Sequence, residues 1–273
     1  MRPILVGAVI YDPKVAVIWD IIAGFFGAQD CPMDCVFYTN YSLQVDALLA
    51  GHIDIAWNSP LAWVDAQRRS ADACRAIAMR DTDRDRRTHL LVRADGQVHA
   101  ARDLRGRVMA LGAVDSPQAT LLPIHHLESL GLKPGRDFEV RRHDVLVGKH
   151  GDHVGGEHEA LNDLLSGAAD AAAVLDLNWE LWRSDGTADP SRVRVLDTTA
   201  PFDHCNFTVA PTFPTARAEP WTRVLMSMSY DNPAHRDMMD MEGLKAWLPG
   251  RTSGYAALEA AVREQNFFES VVG

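Results

Sequence analysis

The sequence predicts an α/β fold in two lobes joined by two crossing hinge strands, and three observations predict it. Apolar strand-like runs alternate with helix-period segments from the first residues onward. A polar break at Arg93, Ala94, Asp95 and Gly96 interrupts this order, and Thr198–Val209 reads as the return crossing. The order strand, Ser, Pro, helix occurs twice, once on each side of the break.

The first lobe opens with Ile4–Ile10 as a strand that ends at Tyr11, Asp12 and Pro13. Val15–Phe26 has helical apolar spacing, Cys35–Tyr38 reads as a strand, Tyr41–Ala50 as a helix stopped by Gly51, and Ile53–Trp57 as a third strand. This βαβαβ order gives a parallel sheet with right-handed crossovers. His89–Val92 is a further strand-like run. In the second lobe, strands are expected at Val108–Val114, Phe138–Val147, Asp170–Leu175 and Val193–Leu196, with helices at Thr120–Leu130 and Glu157–Ser166. Helical stretches at Trp221–Ser227, Ala234–Asp240 and Tyr255–Glu264 are expected to pack back on the first lobe. The lobes are then 1–94 with 200–273, and 95–199. Trp19, Trp179, Trp182 and Trp247 sit in helix-like surroundings and are expected to be packing residues.

Bulk properties exclude several classes. The 273 residues suffice for a large core, and 47% hydrophobic with 23% charged residues is ordinary for a globular chain. A formal net charge of -10 with no long basic run argues against nucleic acid as a partner. The first apolar run is short for a signal peptide and is needed as a strand, so the expected location is cytoplasmic, or periplasmic if an export segment was removed. No run is long enough to insert into a membrane. Cys31, Cys35, Cys74 and Cys205 form no CxxC pair, and reduced thiols are expected.

The two Ser-Pro turns carry the first functional signal. In Asn58-Ser59-Pro60 and Asp115-Ser116-Pro117, Ser is a preferred helix N-cap, and Pro at the first helical position gives up only an N–H with no intrahelical acceptor. A helix that starts off the carboxyl end of a buried strand points its positive dipole end toward the edge where open α/β sheets bind ligands. Two such turns in two lobes suit one small ligand held between them.

Gly7–Asp12, Tyr38–Val64, Asp115–Pro123 and Glu157–Asn178, taken in order, resemble the phosphonate/phosphate class of ABC-transporter solute-binding proteins. The resemblance implies a type 2 periplasmic-binding-protein fold with a ligand cleft between the lobes. It also implies that Tyr41, Asn58, Ser59, Ser116, Gln118, Thr120 and His158 face the ligand. The chain departs from that pattern in two places. Its second turn reads Ser116-Pro117-Gln118-Ala119-Thr120 where relatives usually carry a run of Ser and Thr, and the loop Val147–Glu159 is rich in Gly and His.

Other residues carry chemistry of their own. His150 and His153, with Asp152, Glu157 and His158 close behind, form a ligand set for a divalent transition metal; the metal reading takes His150, His153 and Glu157. The same loop offers Lys149 or His150 as a partner for an anion, or is merely structural. Asp203-His204-Cys205 lies where the chain returns, and a thiol beside an imidazole is a candidate nucleophile, or Cys205 is a buried structural cysteine. Strand alternation points His204 and Cys205 to opposite faces, so Cys205 needs a partner from elsewhere. Tyr11 and Tyr38, with Tyr41, and Asp176 with Asn178 stand at strand ends that suit a cleft wall.

Three functions follow. The first is a solute-binding protein that captures a small polar, anionic molecule and needs no cofactor; ABC-transporter membrane subunits are its partners if it is exported. The second is a cytoplasmic enzyme on the same fold, using His153, Cys205 or a divalent metal for chemistry on a small molecule. The third is a ligand sensor.

Overall fold

In the computed structural model, which describes residues 2–151 and 155–270, the chain divides into two units: Met1–Arg84 with Asp203–Gly254, and Asp85–Phe202 with Tyr255–Gly273. The first begins with β1 (Ile4–Val9), α1 (Lys14–Gly27), β2 (Met33–Tyr38), α2 (Tyr41–Leu49), β3 (Ile55–Asn58), α3 (Pro60–Ser70) and β4 (Arg75–Arg80). The second holds β5 (Thr88–Arg93), β6 (Val108–Leu111), α4 (Leu122–Ser129), β7 (Glu139–Arg142), α5 (Glu157–Ser166), β8 (Ala171–Leu175), α6 (Asp176–Asp185) and β9 (Val193–Thr198). The chain re-enters the first unit with β10 (Asn206–Val209), α7 (Thr215–Met226), α8 (Pro233–Met241) and β11 (Trp247–Pro249), and α9 (Ala256–Glu264) belongs to the second.

The six-stranded sheet of the first unit runs β11-β4-β10-β3-β1-β2. β1 is parallel to β2 and β3, each reached through a helical crossover, and β10 pairs antiparallel with β3 and β4. Helices cover the sheet, so β3 is buried at every position, as a central parallel strand must be. Its core is aromatic: Trp57 and Phe207 lie 4.6 Å apart, and Phe26 stacks on Trp221 at 5.0 Å. Burying rings of this size supplies a large share of the hydrophobic stabilisation.

The second unit repeats the plan with five strands, β7-β6-β8-β5-β9. β6 is parallel to β7 and β8, while β5 is antiparallel to β8 and β9. β8 reads AAAVL and is wholly buried; its small side chains share a core with Leu161 and Leu164 of α5 and with Trp179 and Trp182 of α6.

Four expectations differ from the structure. Trp247, expected in helix-like surroundings, lies in β11 opposite Arg80 of β4, although it is a buried packing residue as expected. His89–Val92 lies in β5 and pairs with β8 and β9, so it belongs to the second unit, and the division falls at Arg84 rather than near residue 94. The helix expected at Tyr255–Glu264 packs on the second unit, where Gln265 Nε2 donates to the Leu121 carbonyl at 2.9 Å and His125 meets Glu264 at 2.9 Å. The strand expected at Phe138–Val147 spans only Glu139–Arg142. The chain turns at His143, Leu146 takes a left-handed φ of 60°, and Val145 and Val147 point to solvent, so their apolar character marks no core position.

Candidate functional site

In the first unit the site begins at the carboxyl end of β3. Ser59 has extended backbone and its Oγ accepts the Ala62 N–H at 3.2 Å, capping α3 with Pro60 at the first position. Asn58 is completely buried, and both ends of its amide serve the scaffold. Its Oδ1 accepts from Gln44 Nε2 at 2.9 Å and its Nδ2 donates to Thr208 Oγ1 at 3.0 Å. Gln44 also donates to the Trp57 carbonyl at 2.8 Å, so α2, β3 and β10 are tied together directly beneath Ser59. Tyr41, the first residue of α2, is buried, whereas Tyr11 is half-buried and packs against the core past the end of β1.

The second turn is capped by the same chemistry: Ser116 Oγ accepts the Ala119 N–H at 3.2 Å. Here the first turn is a π-helical one over Pro117–Leu121, in which the Leu121 N–H reaches back to the Ser116 carbonyl at 3.0 Å. Such widened turns recur at functional sites. The widening is held by side chains, because Thr120 Oγ1 donates to the Gly112 carbonyl at 3.1 Å and Thr88 Oγ1 donates to the Gln118 carbonyl at 2.7 Å.

The glycine-rich loop lies on this second turn. Gln118 Nε2 donates to the Gly151 carbonyl at 3.2 Å, and Asp115 Oδ2 accepts the Gly148 N–H at 2.6 Å. Gly151 has a φ of +64°, and a Cβ there would sit 2.6 Å from Ser116 Oγ, so only glycine fits. In the same loop His150 is a non-glycine residue at φ 54°, and burial pushes its imidazole down to about 3, leaving it neutral; Lys149 beside it is half-buried.

Glu157 is completely buried at the start of α5. Its Oε2 accepts from the Leu175 N–H at 2.7 Å and from Asn178 Nδ2 at 3.0 Å, while its Oε1 and the Oε1 of Gln118 have no hydrogen-bond partner among the described residues. Burial raises its carboxyl to about 7, against the opposing bonds from Asn178, Leu175 and Gln118. His158 turns toward α6, its ring 5.7 Å from Trp182 and its Nδ1 3.2 Å from Asn162 Nδ2. Asp176 accepts the Arg87 N–H at 3.2 Å and the Leu177 N–H at 2.9 Å. His153 and Asp152, named above for metal or catalysis, lie outside the described residues. Among the described residues, neither His150 nor Glu157 belongs to a convergent three-donor group.

His204 and Cys205 require a correction. β10 starts only at Asn206, so strand alternation does not govern the preceding pair, and His204 Nδ1 lies 3.1 Å from Cys205 Sγ. The same Nδ1 is 3.5 Å from Asp83 Oδ1. A Cys-His-Asp relay needs the two ring nitrogens to serve different partners, and here one nitrogen faces both. Asp83 went unnoticed in the sequence, as did Gln44, Thr88 and Thr208. Each is an ordinary polar residue whose partner is remote in the chain, so no local pattern marks its role.

Residues 27–255 match the family of ABC transporter, phosphonate, periplasmic substrate-binding proteins. The chain belongs to this family. A probable ABC transporter phosphite binding protein of Prochlorococcus marinus (strain MIT 9301), PhnD1, is 20% identical over 240 residues, covering 83% of this chain and 76% of that one. Its structure in complex with methylphosphonate aligns with a TM-score of 0.72 at 18% identity, over 97% of this chain and 98% of that one. XAC2383 from Xanthomonas citri, bound to ATP, aligns at 0.74 and 17% identity over 97% and 98% of the two chains. The periplasmic aliphatic sulphonate binding protein SsuA from Escherichia coli aligns at 0.60 and 15% identity over 100% and 88%. The fold is thus that of the two-lobed periplasmic binding proteins, mixed α/β with two sheets. This phosphonate-class chain is a solute-binding protein, and the enzyme alternative is not favoured. The family is periplasmic and supplies the small-molecule-binding component that works with transporter membrane subunits. Among the described residues no helix is long and apolar enough to cross a membrane.

Proposed function

We propose that this protein captures a small tetrahedral oxyanion of the phosphonate, phosphite or sulfonate class for delivery to ABC-transporter membrane subunits. The observation that carries the reading is the repeated Ser-Pro cap. In each turn Pro has no N–H and Ser Oγ takes that of the third helical residue, so the second residue, Leu61 in one turn and Gln118 in the other, offers an amide with no intrahelical acceptor. Such an amide, with the positive end of the helix behind it and a serine hydroxyl beside it, is suited to an oxyanion. The protein's net charge of -10 makes this local polarity, rather than the overall field, the source of attraction.

Ser59, Ser116, Gln118 and Thr120 carry the proposal. Tyr11, Tyr41, Asn58, Lys149, His150, His158, Asp176 and His204 are proposed only to shape and support the site. The names of the relatives support the anion class: phosphite and methylphosphonate for PhnD1, aliphatic sulphonate for SsuA. This reading calls for no cofactor, and the family points to a periplasmic place of work. Native mass spectrometry of protein purified without added phosphate or sulfate tests it. Addition of methylphosphonate, phosphite or methanesulfonate is expected to give a one-to-one adduct; its absence with all three contradicts the proposal.

A further inference from the structure

We infer that Asp83, His204 and Cys205 form a binding site for one thiophilic divalent cation in the first unit, beside the first Ser-Pro turn, since Asn206 of β10 pairs with Asn58 of β3. Asp83 closes a single 3-10 turn after β4, and His204 and Cys205 lead into β10. The two segments are joined by the His204 N–H, which donates to the Asp83 carbonyl at 2.7 Å. That bond brings three different donor types together: the carboxylate oxygen, imidazole nitrogen and thiol sulfur all lie within 4.8 Å of one another. Nδ1 is 3.1 Å from Sγ and 3.5 Å from Oδ1. A zinc-like ion about 2.0–2.3 Å from each donor holds its ligands at separations of this order. Among the described residues no other group of three His, Cys, Asp or Glu side chains converges in this way.

The surroundings suit a cation. Arg80 holds the Asp83 carboxylate through Nε at 2.7 Å and Nη2 at 2.8 Å, fixing its orientation as an outer-shell partner does. Arg80 is also paired with Glu242 at 3.1 Å, and Arg251 pairs with Asp203 at 2.6 Å. Three protein donors leave a tetrahedral ion one position for water or a small anion.

Cobalt(II) titration of the full chain, kept reduced and free of chelator, tests the site. One cobalt per chain is expected, with a near-ultraviolet thiolate-to-cobalt charge-transfer band that zinc abolishes by displacement. Cys205→Ser is expected to remove the band. His204→Gln is expected to weaken binding by more than the roughly 10–100-fold that loss of an outer-shell partner costs. Cys31→Ser with Cys35→Ser is expected to leave the band intact, since burial raises both thiols, Cys35 to about 12, away from the thiolate form. Absence of the band in the unmodified protein overturns the inference. So does a band that survives Cys205→Ser, or wild-type affinity in His204→Gln, the second variant covering any failure of Cys205→Ser to fold.

Discussion

Gln118 donates from Nε2 to the carbonyl of Gly151 at 3.2 Å, and this bond seats the glycine-rich loop on the second Ser-Pro turn. Gly151→Val adds a Cβ 2.6 Å from both Cβ and Oγ of Ser116, on a backbone with φ +64°. The variant is expected to lose about 1–3 kcal/mol of stability in urea denaturation, the range for a forced backbone conformation. Unaltered stability would show that the loop does not rest on this turn.

The caps separate stability from binding. Ser59→Ala is expected to cost about 0.5–2 kcal/mol and Ser59→Gly only a few tenths. Both remove the hydroxyl, so both are expected to weaken oxyanion binding alike. Chemical denaturation and titration of the two variants side by side distinguish a helix cap from a ligand contact.

Asn58 links Gln44 to Thr208, and Thr208 Oγ1 in turn donates a hydrogen bond to Asn206 Oδ1 at 2.7 Å. Asn58→Leu leaves the buried Gln44 amide and Thr208 hydroxyl without this partner. One N–H of Gln44 loses its acceptor, at about 1–3 kcal/mol, while Gln44 keeps the Trp57 carbonyl and Thr208 keeps Asn206, so the loss is expected to be at least that of Ser59→Ala. A loss smaller than that for Ser59→Ala would mean that the network contributes little.

Glu157 gives stability a pH dependence of definite sign. Its folded-state carboxyl lies near 7, above the ordinary value of 4.5, so its contribution is complete below about pH 4.5 and is lost as pH rises through 7. At about 1.4 kcal/mol for each tenfold change in proton affinity, the effect is on the order of 3 kcal/mol. His150, held down to about 3, acts in the opposite sense, losing stability as pH falls below its ordinary 6.5. Subtracting the unfolding free energies of Glu157→Gln from those of the unmodified chain isolates Glu157. The difference is expected to fall between pH 4.5 and 7.5, and a flat difference would refute the assignment.

What the sequence revealed was local. The βαβαβ order, both Ser-Pro caps and the helix at Glu157 follow from apolar period and cap chemistry confined to a few neighbouring residues. What stayed hidden depends on remote contacts. The π-helical turn at Pro117–Leu121 is held by Thr88, Gly112 and the docked loop. The assignment of His89–Val92 and of α9 to the second unit is set by sheet pairing and by Gln265, which no local pattern announces. Asp83 meets His204 only because the chain leaves the first unit and comes back beside its own exit. The apolar residues Val145 and Val147 misled for the converse reason, since hydrophobicity without a neighbouring strand makes no sheet.

Isothermal titration with methylphosphonate, phosphite and methanesulfonate, run on the unmodified protein and on Ser59→Leu, tests the central claim most directly. The account predicts saturable one-to-one binding of at least one oxyanion to the unmodified protein, and loss of that binding in a folded Ser59→Leu variant. Failure of all three anions to bind, or equal affinity in the two proteins, would contradict it.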